Sequence, residues 1–195
     1  MDHPSSARTA LLSLLAERSV RRGTFTLASG RVSSFYVDAR LTTMSPEGLS
    51  LIGPLGLHTV RSAGWGVDSI GGLTLGADPI AYAISYAAAL DQPVSGLVAL
   101  RAFTVRKEAK SHGTGKLVEG PFRRGDRVCV IEDTITTGGS ALRAVSALRE
   151  AGGVVAGVLA RVDREEGGRE AIEESGIPVI SLARISELLP LAPTA

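Results

Sequence analysis

The segment VCVIEDTITTGGS, residues 128–140, decides the fold. Its first four residues form an apolar run that is typical of a buried strand in a parallel sheet. Two acids follow, Glu132 and Asp133, and a stretch of hydroxyls and glycines then leads into a helical pattern over residues 141–151. The order of strand, acids, glycine-rich turn and helix predicts part of a βαβ unit.

The remaining apolar patterns predict the same alternation. Helices are expected at residues 8–19, 46–62, 77–90 and 169–175, and strands at 24–27, 35–37, 67–70, 96–100, 154–162 and 179–182. Ser45 is expected to be the N-cap of the helix that Pro46 begins. This order predicts an α/β fold with a central, mainly parallel twisted sheet flanked by helices. The 195 residues suit a single domain, 1–195. About 1–42 interrupts the alternation and is expected to form a small N-terminal cap.

Composition argues against several classes of protein. The net charge is +1 and aromatic residues make up 4%, which disfavours a nucleic-acid surface. The single cysteine, Cys129, cannot form a disulfide within the chain, which favours a reducing cytoplasm. No apolar run approaches the roughly 20 residues that a membrane-spanning helix needs. The sequence therefore predicts a cytoplasmic protein that binds neither nucleic acid nor membrane.

The acidic pair and the turn after it predict an anion site. Ligands of doubly wound sheets bind outside the carboxyl ends of the strands, where Glu132 and Asp133 fall. The turn over 134–140 offers hydroxyls and the N–H groups of a helix N-terminus. Neither the Walker A nor the Rossmann spacing is present here. A phosphorylated sugar fits both halves, and the alternative is a capped loop with surface acids.

The polar segment 106–120 has no helical or strand periodicity and is expected to be a mobile loop. Its basic residues exceed its acids; within 106–116 they are Arg106, Lys107, Lys110, His112 and Lys116, against Glu108 alone. Cations on a closing loop stabilise the charge that develops on an anionic leaving group. The alternatives are a solvated basic loop or a nucleic-acid patch, and the low aromatic content disfavours the patch.

These segments together resemble a known family. Residues 128–140 look like the phosphoribosyl pyrophosphate (PRPP) motif of type I phosphoribosyltransferases. FTLASG at 25–30 and FYVD at 35–38 are similar to the N-terminal region of orotate phosphoribosyltransferases. RKEAKSHG at 106–113 resembles the mobile catalytic loop of that family. The resemblance covers about residues 20–190, in the expected order.

The resemblance implies a reaction. An orotate phosphoribosyltransferase transfers the phosphoribosyl group from PRPP to orotate, giving orotidine 5-monophosphate and pyrophosphate in de novo pyrimidine (UMP) biosynthesis. It implies Mg²⁺ held mainly by PRPP and pyrophosphate oxygens, with no direct protein ligand. It also implies a homodimer in which the catalytic loop is shared across subunits.

The resemblance also assigns roles to residues. The catalytic set is Lys107, Lys110, His112 and Asp133. The PRPP-binding set is Arg106, Lys107, Lys110, His112, Glu132, Asp133, Thr134, Ile135, Thr136, Thr137, Gly138, Gly139 and Ser140. Orotate is expected to contact Thr136 and Arg164, the latter because Asp163-Arg164 matches an aspartate-arginine pair of the family. A planar guanidinium suits the carboxylate or the carbonyl oxygens of the base.

The chain departs from many members at Ala28 and at Leu75-Gly76, where lysine and tyrosine-lysine are common. Residues 71–79, GGLTLGADP, instead resemble a second form of the pyrophosphate-binding loop. That form implies a non-proline cis peptide bond near Thr74. The alternative functions are a purine or xanthine phosphoribosyltransferase and an RNA-binding regulator that retains the fold.

Overall fold

The structure is a computed structural model that describes residues 4–26, 32–108 and 116–193. A six-stranded sheet has the order β5-β4-β3-β6-β7-β8, in which every adjacent pair except β4–β5 is parallel. Its strands are β3 Ser69–Leu73, β4 Arg101–Val105, β5 Val118–Glu119, β6 Arg127–Ile135, β7 Val154–Asp163 and β8 Val179–Arg184. The strands β1 Val20–Thr26 and β2 Val32–Val37 form a separate antiparallel sheet.

Helices cover both faces of the larger sheet, as the alternation predicts. They are α1 Pro4–Ser19, α2 Arg40–Thr43, α3 Pro46–Ser62, α4 Asp78–Ser95, α5 Gly139–Glu150, α6 Gly168–Glu173 and α7 Ile185–Leu188. Alternate side chains of β6 enter different cores. Cys129 and Ile131 pack with α3 and α4, whereas Val128 and Val130 pack with α5. Both faces of this strand are therefore buried, which explains its unbroken apolar run.

The helix predicted over 46–62 is confirmed as α3. The Oγ of Ser45 accepts a hydrogen bond from the N–H of Gly48 at 3.0 Å, and Pro46 occupies the first turn. This is the capped start that the sequence indicates, because a serine hydroxyl satisfies an N–H group that has no partner within the helix.

The strand predicted over 96–100 is wrong. Gly96, with φ at 68°, ends α4, and the residues after it connect that helix to β4. Leu97 and Val98 are 52% and 82% exposed, so this apolar run does not enter the sheet. Parallel pairing with β3 begins only at Arg101, opposite Ser69. An apolar run of this length does not distinguish a strand from an exposed connection.

The segment 106–120 also differs from its prediction as a loop without regular structure. Val118 and Glu119 form β5, which pairs with Val105 and Thr104 of β4. Residues 109–115 lie outside the described residues, so the structure describes the two ends of this segment. The chain therefore pairs again with β4, through β5 at the edge of the sheet, soon after the basic residues.

The N-terminal region packs against the body through α1. Leu11 and Leu15 are fully buried in the core that contains α3, and Arg8 pairs with Glu187 of α7 at 2.8 Å. The β1–β2 sheet follows, and the chain then enters α2. Among the described residues, no helix is long and apolar enough to cross a membrane.

Candidate active site

The carboxyl ends of β3, β4, β6 and β7 meet at one edge of the parallel sheet. The segments that follow these strands are 74–77, 106–108, 136–138 and 164–167. They include about half of the described residues that the sequence assigns to a site, and the others lie at the adjoining end of β6 or the start of α5. Since ligands of open α/β sheets bind at this edge, the topology places the predicted groups where a ligand would bind.

A cavity of about 210 Å³ lies where β6 meets α5. Gly138, with φ at 79°, is the N-cap of this helix, and a side chain there would collide with the carbonyl of Gly168. The glycine therefore allows the turn to fold tightly onto the helix N-terminus. The lining residues are Glu132, Thr134, Ile135, Thr136, Thr137, Gly138, Gly139 and Ser140. Hydroxyls, glycines and a helix N-terminus form an anion cradle, as predicted.

The position of β6 changes the interpretation of two predicted site residues, Ile135 and Thr136. The strand continues through Ile135, four residues past the apolar run 128–131, so the acids lie within β6 and not after it. Ile135 borders the cavity, yet its side chain is buried in the core that contains α5. Its neighbour Thr136 also borders this cavity, and not the cavity beside Arg164.

One carboxyl of the acidic pair is buried and the other is partly exposed. Glu132 is only 9% exposed, and this burial raises its pKa to about 8, with the neighbouring Asp133 adding to the effect. Asp133 is partly exposed and accepts a hydrogen bond from the N–H of Thr134 at 2.8 Å. A carboxyl held mainly protonated beside a second carboxyl is typical of functional sites, because its polar atoms are kept ready for a ligand.

The turn after β3 lies directly against Asp133. A Cβ at Gly76 would overlap the carboxylate of that residue, so this turn approaches the acidic pair only because position 76 has no side chain. The peptide bond between Thr74 and Leu75 is cis, as predicted. Asp78 secures the turn by accepting hydrogen bonds from the hydroxyls of Thr74 at 2.6 Å and Thr104 at 2.9 Å.

Arg106 and Lys107 begin the basic segment beside this turn. They border a cavity of about 410 Å³ together with Thr74, Thr104, Glu108 and Glu119. Arg106 also lies 3.4 Å from Glu119 of β5. The structure therefore brings the first two predicted cations next to the turn at 74–76. The other two, Lys110 and His112, lie outside the described residues, as does Ala28.

A third cavity, of about 480 Å³, lies between the β1–β2 sheet and the end of β7. The guanidinium of Arg164 stands 5.2 Å from the centre of the Phe35 ring and pairs with Glu166 at 2.8 Å. Its buried Nε has no hydrogen-bond partner among the described residues. Glu165, with φ at 55°, accepts hydrogen bonds from the N–H and hydroxyl of Ser186. A planar cation above an aromatic ring is thus presented to an open pocket.

Sequence reasoning missed two residues of this region, Arg161 and Glu166, and it named a third, Gly76, only as a departure from the family. Gly76 has a sequence signal, since it replaces a lysine common in the family. Arg161 also has one, because it interrupts the apolar run of β7. Glu166 has none, because its pairing with Arg164 is indistinguishable in the sequence from an exposed acid in a turn. The roles of Gly76 and Arg161 depend on long-range contacts, which the sequence does not show.

Comparisons with known proteins agree with one another. The chain is 48% identical over 185 residues to the orotate phosphoribosyltransferase of Aquifex aeolicus, covering 93% of this chain and 97% of that protein. It is 45% identical over 184 residues to that of Corynebacterium glutamicum, with 94% and 95% covered. No protein-family model matches the chain.

Solved structures show the same relationship. The crystal structure of Mycobacterium tuberculosis H37Rv orotate phosphoribosyltransferase in complex with PRPP matches with a TM-score of 0.75 at 41% identity, covering 93% of this chain and 98% of that one. The orotate phosphoribosyltransferase of Aeropyrum pernix matches with a TM-score of 0.70 at 30% identity, covering 92% and 97%. The type I phosphoribosyltransferase fold predicted from the sequence is confirmed, and the chain belongs to the orotate phosphoribosyltransferase family.

Proposed function

We propose that this protein transfers the phosphoribosyl group of PRPP to orotate, releasing orotidine 5-monophosphate and pyrophosphate in the synthesis of UMP. The observation that carries the proposal is the cradle of hydroxyls and glycines between β6 and α5, with the buried Glu132 on its wall and the partly exposed Asp133 next to it in the chain. The same edge of the sheet also holds the basic cavity at Arg106 and the pocket at Arg164. These sites suit the phosphate, the pyrophosphate and the base.

The donor end binds the part of PRPP that does not change. The 5-phosphate occupies the turn 134–140, where the N-terminus of α5 and the hydroxyls favour an anion. The ribose hydroxyls bond to Glu132 and Asp133. Because burial keeps Glu132 mainly protonated near neutral pH, it can donate as well as accept a hydrogen bond toward the sugar.

The pyrophosphate leaves toward the basic cavity. As the C1–O bond breaks, negative charge grows on pyrophosphate and positive charge on the ribosyl ring. Arg106 and Lys107, followed in the sequence by Lys110 and His112, stabilise the leaving group, and Asp133 faces the ribosyl side. His112 supplies a proton to the departing oxygen. No covalent nucleophile is required, and burial raises the pKa of the Cys129 thiol to about 12, which leaves it inert.

The acceptor end binds the base. The guanidinium of Arg164 offers N–H groups to a carboxylate or to carbonyl oxygens, and its buried Nε has no partner in the described parts of the chain. Phe35 borders the same pocket and supplies an apolar face for a planar ring. Thr136, on the donor side, contacts the base from the opposite end. An anionic base such as orotate therefore fits this pocket better than a neutral purine.

The donor set also fits Mg²⁺. The carboxylate oxygens of Asp133 lie against the turn at Gly76, and oxygen is the ligand type that Mg²⁺ prefers. We propose that pyrophosphate and ribose oxygens provide most of its ligands, with these residues binding through the substrate. When bound, the ion neutralises charge on the pyrophosphate. The residues of the chain position the substrate oxygens that hold it.

The protein also carries an exposed apolar face on α3 and α4. Tyr82, Tyr86, Leu90 and Val94 recur at helical spacing along α4 and are 51% to 75% exposed. With Leu57 and other residues of α3 they line a groove of about 950 Å³. A continuous apolar face of this kind is typical of a protein interface. We propose that a second copy of the chain covers it.

This face adjoins the basic cavity. The hydroxyl of Tyr82 bonds to that of Thr104 at 2.7 Å, and Thr104 borders the cavity that contains Arg106 and Lys107. A copy docked on α4 would therefore lie beside the start of the basic segment. This proximity supports the proposal that the segment reaches the site of the neighbouring subunit.

Two measurements test the dimer. Sedimentation should give a dimer for the native protein and a monomer for Tyr86→Glu, whereas Val154→Glu, at an exposed strand start on the opposite edge, should stay dimeric. Mixed dimers of Asp133→Ala and Lys110→Ala subunits should regain activity, since one of their sites is intact if the segment crosses. Confirmed mixed dimers without activity would contradict the shared site.

The reaction is tested by following the absorbance of orotate. We expect orotate to be consumed only with PRPP and Mg²⁺, and the activity to disappear with excess chelator and return with Mg²⁺. Hypoxanthine and xanthine serve as competing acceptors. Their consumption in place of orotate would favour the purine alternative, and RNA binding without any transfer would favour the regulator. A single cysteine, which cannot form a disulfide within the chain, supports a cytoplasmic location.

A further inference from the structure

Arg161 is a charged residue in the middle of the core. It lies on β7, is only 1% exposed and is the largest fully buried side chain among the described residues. Burial lowers the pKa of its guanidinium to about 10, while the carboxylates of Asp133 and Asp38 act to raise it. The residue therefore remains charged at neutral pH. Since a buried charge is unfavourable unless its surroundings compensate it, its bonding partners indicate what it does.

The guanidinium bonds to two separate parts of the site. One terminal nitrogen donates to the carbonyl of Ala39 at 2.6 Å. The other donates to the carbonyl of Asp133 at 3.2 Å and lies 3.5 Å from the hydroxyl of Thr134. Ala39 is the N-cap of α2, and Asp133 belongs to the acidic pair. A single rigid group thus joins the N-terminal region to β6.

Each end of this bridge leads to a different substrate. Asp133 and Thr134 belong to the proposed PRPP site. Ala39 follows β2, which carries Phe35 into the pocket of Arg164. The carbonyl of Ala39 also accepts from the N–H and the hydroxyl of Thr43, so α2 moves with it. A displacement of the Asp133 peptide would therefore be transmitted through Arg161 to Ala39, and so to the segment that carries Phe35.

We infer that Arg161 is a positioning residue that holds the donor and acceptor halves of the site in register, so that PRPP binding orders the base pocket. The inference rests on the proposed transferase function. Arg161 touches neither substrate. Its planar fork is what allows it to bond both carbonyls at once, which the single ammonium of lysine cannot reproduce.

Arg161→Lys tests the inference because it retains the charge and removes the fork. We expect the KM values of both PRPP and orotate to rise roughly tenfold, with kcat changed less, because a lysine ammonium can bond at most one of the two carbonyls and the link between the halves is lost. Arg127→Lys is the matched control. Arg127 also donates to a main-chain carbonyl, that of Trp65, but at the opposite edge of the sheet. The Arg127→Lys variant should leave the KM values of PRPP and orotate unchanged.

The outcomes are distinct. A lower melting temperature with both KM values unchanged would show a structural role only and overturn the inference. A rise in the KM of one substrate alone would overturn the link between the two halves. If neither the native protein nor Arg127→Lys consumed orotate, the proposed function itself would have failed.

The native protein gives a second test that does not depend on the folding of a variant. PRPP binding is first confirmed by calorimetry. PRPP alone, without orotate, should then slow hydrogen exchange of the Thr42 and Thr43 amides, which bond to the carbonyl of Ala39. Bound PRPP with no change at these amides would overturn the inference while leaving the transferase proposal intact.

Discussion

The donor and acceptor ends of the proposed site are built in opposite ways. The donor cavity comes from one continuous segment, 132–140, whose strand residues are held in place by the main-chain ladder of β6 with β7. The acceptor pocket is assembled from residues 32–35, 164–166 and 185–189, which meet only in the folded chain. Side-chain contacts join these pieces, among them Arg164 to the Phe35 ring and Glu165 to Ser186.

This difference has a chemical consequence. Main-chain ladders and a helix N-terminus give the donor end a geometry that depends little on individual side chains, apart from the acids and glycines. Side-chain links make the acceptor end dependent on each partner. Substitutions at the donor end should therefore affect the reaction itself, whereas those at the acceptor end should affect which base is bound and how tightly.

The largest effect is expected at the donor end. Asp133→Asn keeps the shape of the side chain and removes its charge from the ribosyl side. We expect kcat/KM for PRPP to fall by roughly 100- to 1000-fold, the range found when a preorganised electrostatic group is lost. Steady-state kinetics measure this change. Glu150→Gln, at an exposed acid at the end of α5, should behave as the native protein, and near-native activity of Asp133→Asn would contradict the role.

A smaller and more selective effect is expected at the acceptor end. Arg164→Ala should raise the KM of orotate by roughly 10- to 100-fold, because a hydrogen bond between charged groups is lost. The KM of PRPP should change little. Arg164→Lys keeps the charge but loses the planar guanidinium, so its KM for orotate should lie between those of the native protein and Arg164→Ala. An equal rise in both KM values would place Arg164 outside the base pocket and erase the distinction between the two ends.

Gly76→Ala examines how closely the donor end is packed. The added methyl would overlap the Asp133 carboxylate, so we expect PRPP to bind roughly tenfold more weakly, an effect of about 1.4 kcal/mol. Titration calorimetry measures this directly. Gly96→Ala is a control for backbone strain, because it has positive φ but open space around it. Unchanged PRPP affinity in Gly76→Ala would mean that the turn does not need to approach Asp133.

The smallest effect concerns stability and pH. Burial raises the pKa of Glu132 from 4.5 to about 8, so the folded protein binds this proton more tightly than the unfolded chain. The stability that this group contributes is complete below about pH 4.5 and decreases as the pH rises toward 8. Without ligand, the native melting temperature should therefore fall relative to Glu132→Gln between pH 5 and pH 9, by a few degrees. A constant difference across this range would contradict the shifted pKa.

Local patterns were sufficient for much of the fold. The apolar run of β6 and the capped start of α3 were predicted correctly, because burial on both faces and a serine N-cap leave local signals. The strand predicted over 96–100 was wrong, since an apolar run does not reveal whether a neighbouring strand pairs with it. β5 was missed because two residues are too few to show a period.

The sequence by itself determined which residues form the donor end, because its acids, hydroxyls and glycines are consecutive. A continuous segment between a strand and a helix has a geometry that its own order predicts. It also determined the family, through motifs that are each short and continuous. Tertiary structure alone decided that Gly76 packs on Asp133, that Glu166 pairs with Arg164 and that Arg161 joins Ala39 to Asp133. The contacts of Gly76 and Arg161 link residues distant in the chain, so their meaning depends on how the strands and the N-terminal region are brought together. Glu166 is only two residues from Arg164, and their pairing depends on how the chain folds after β7.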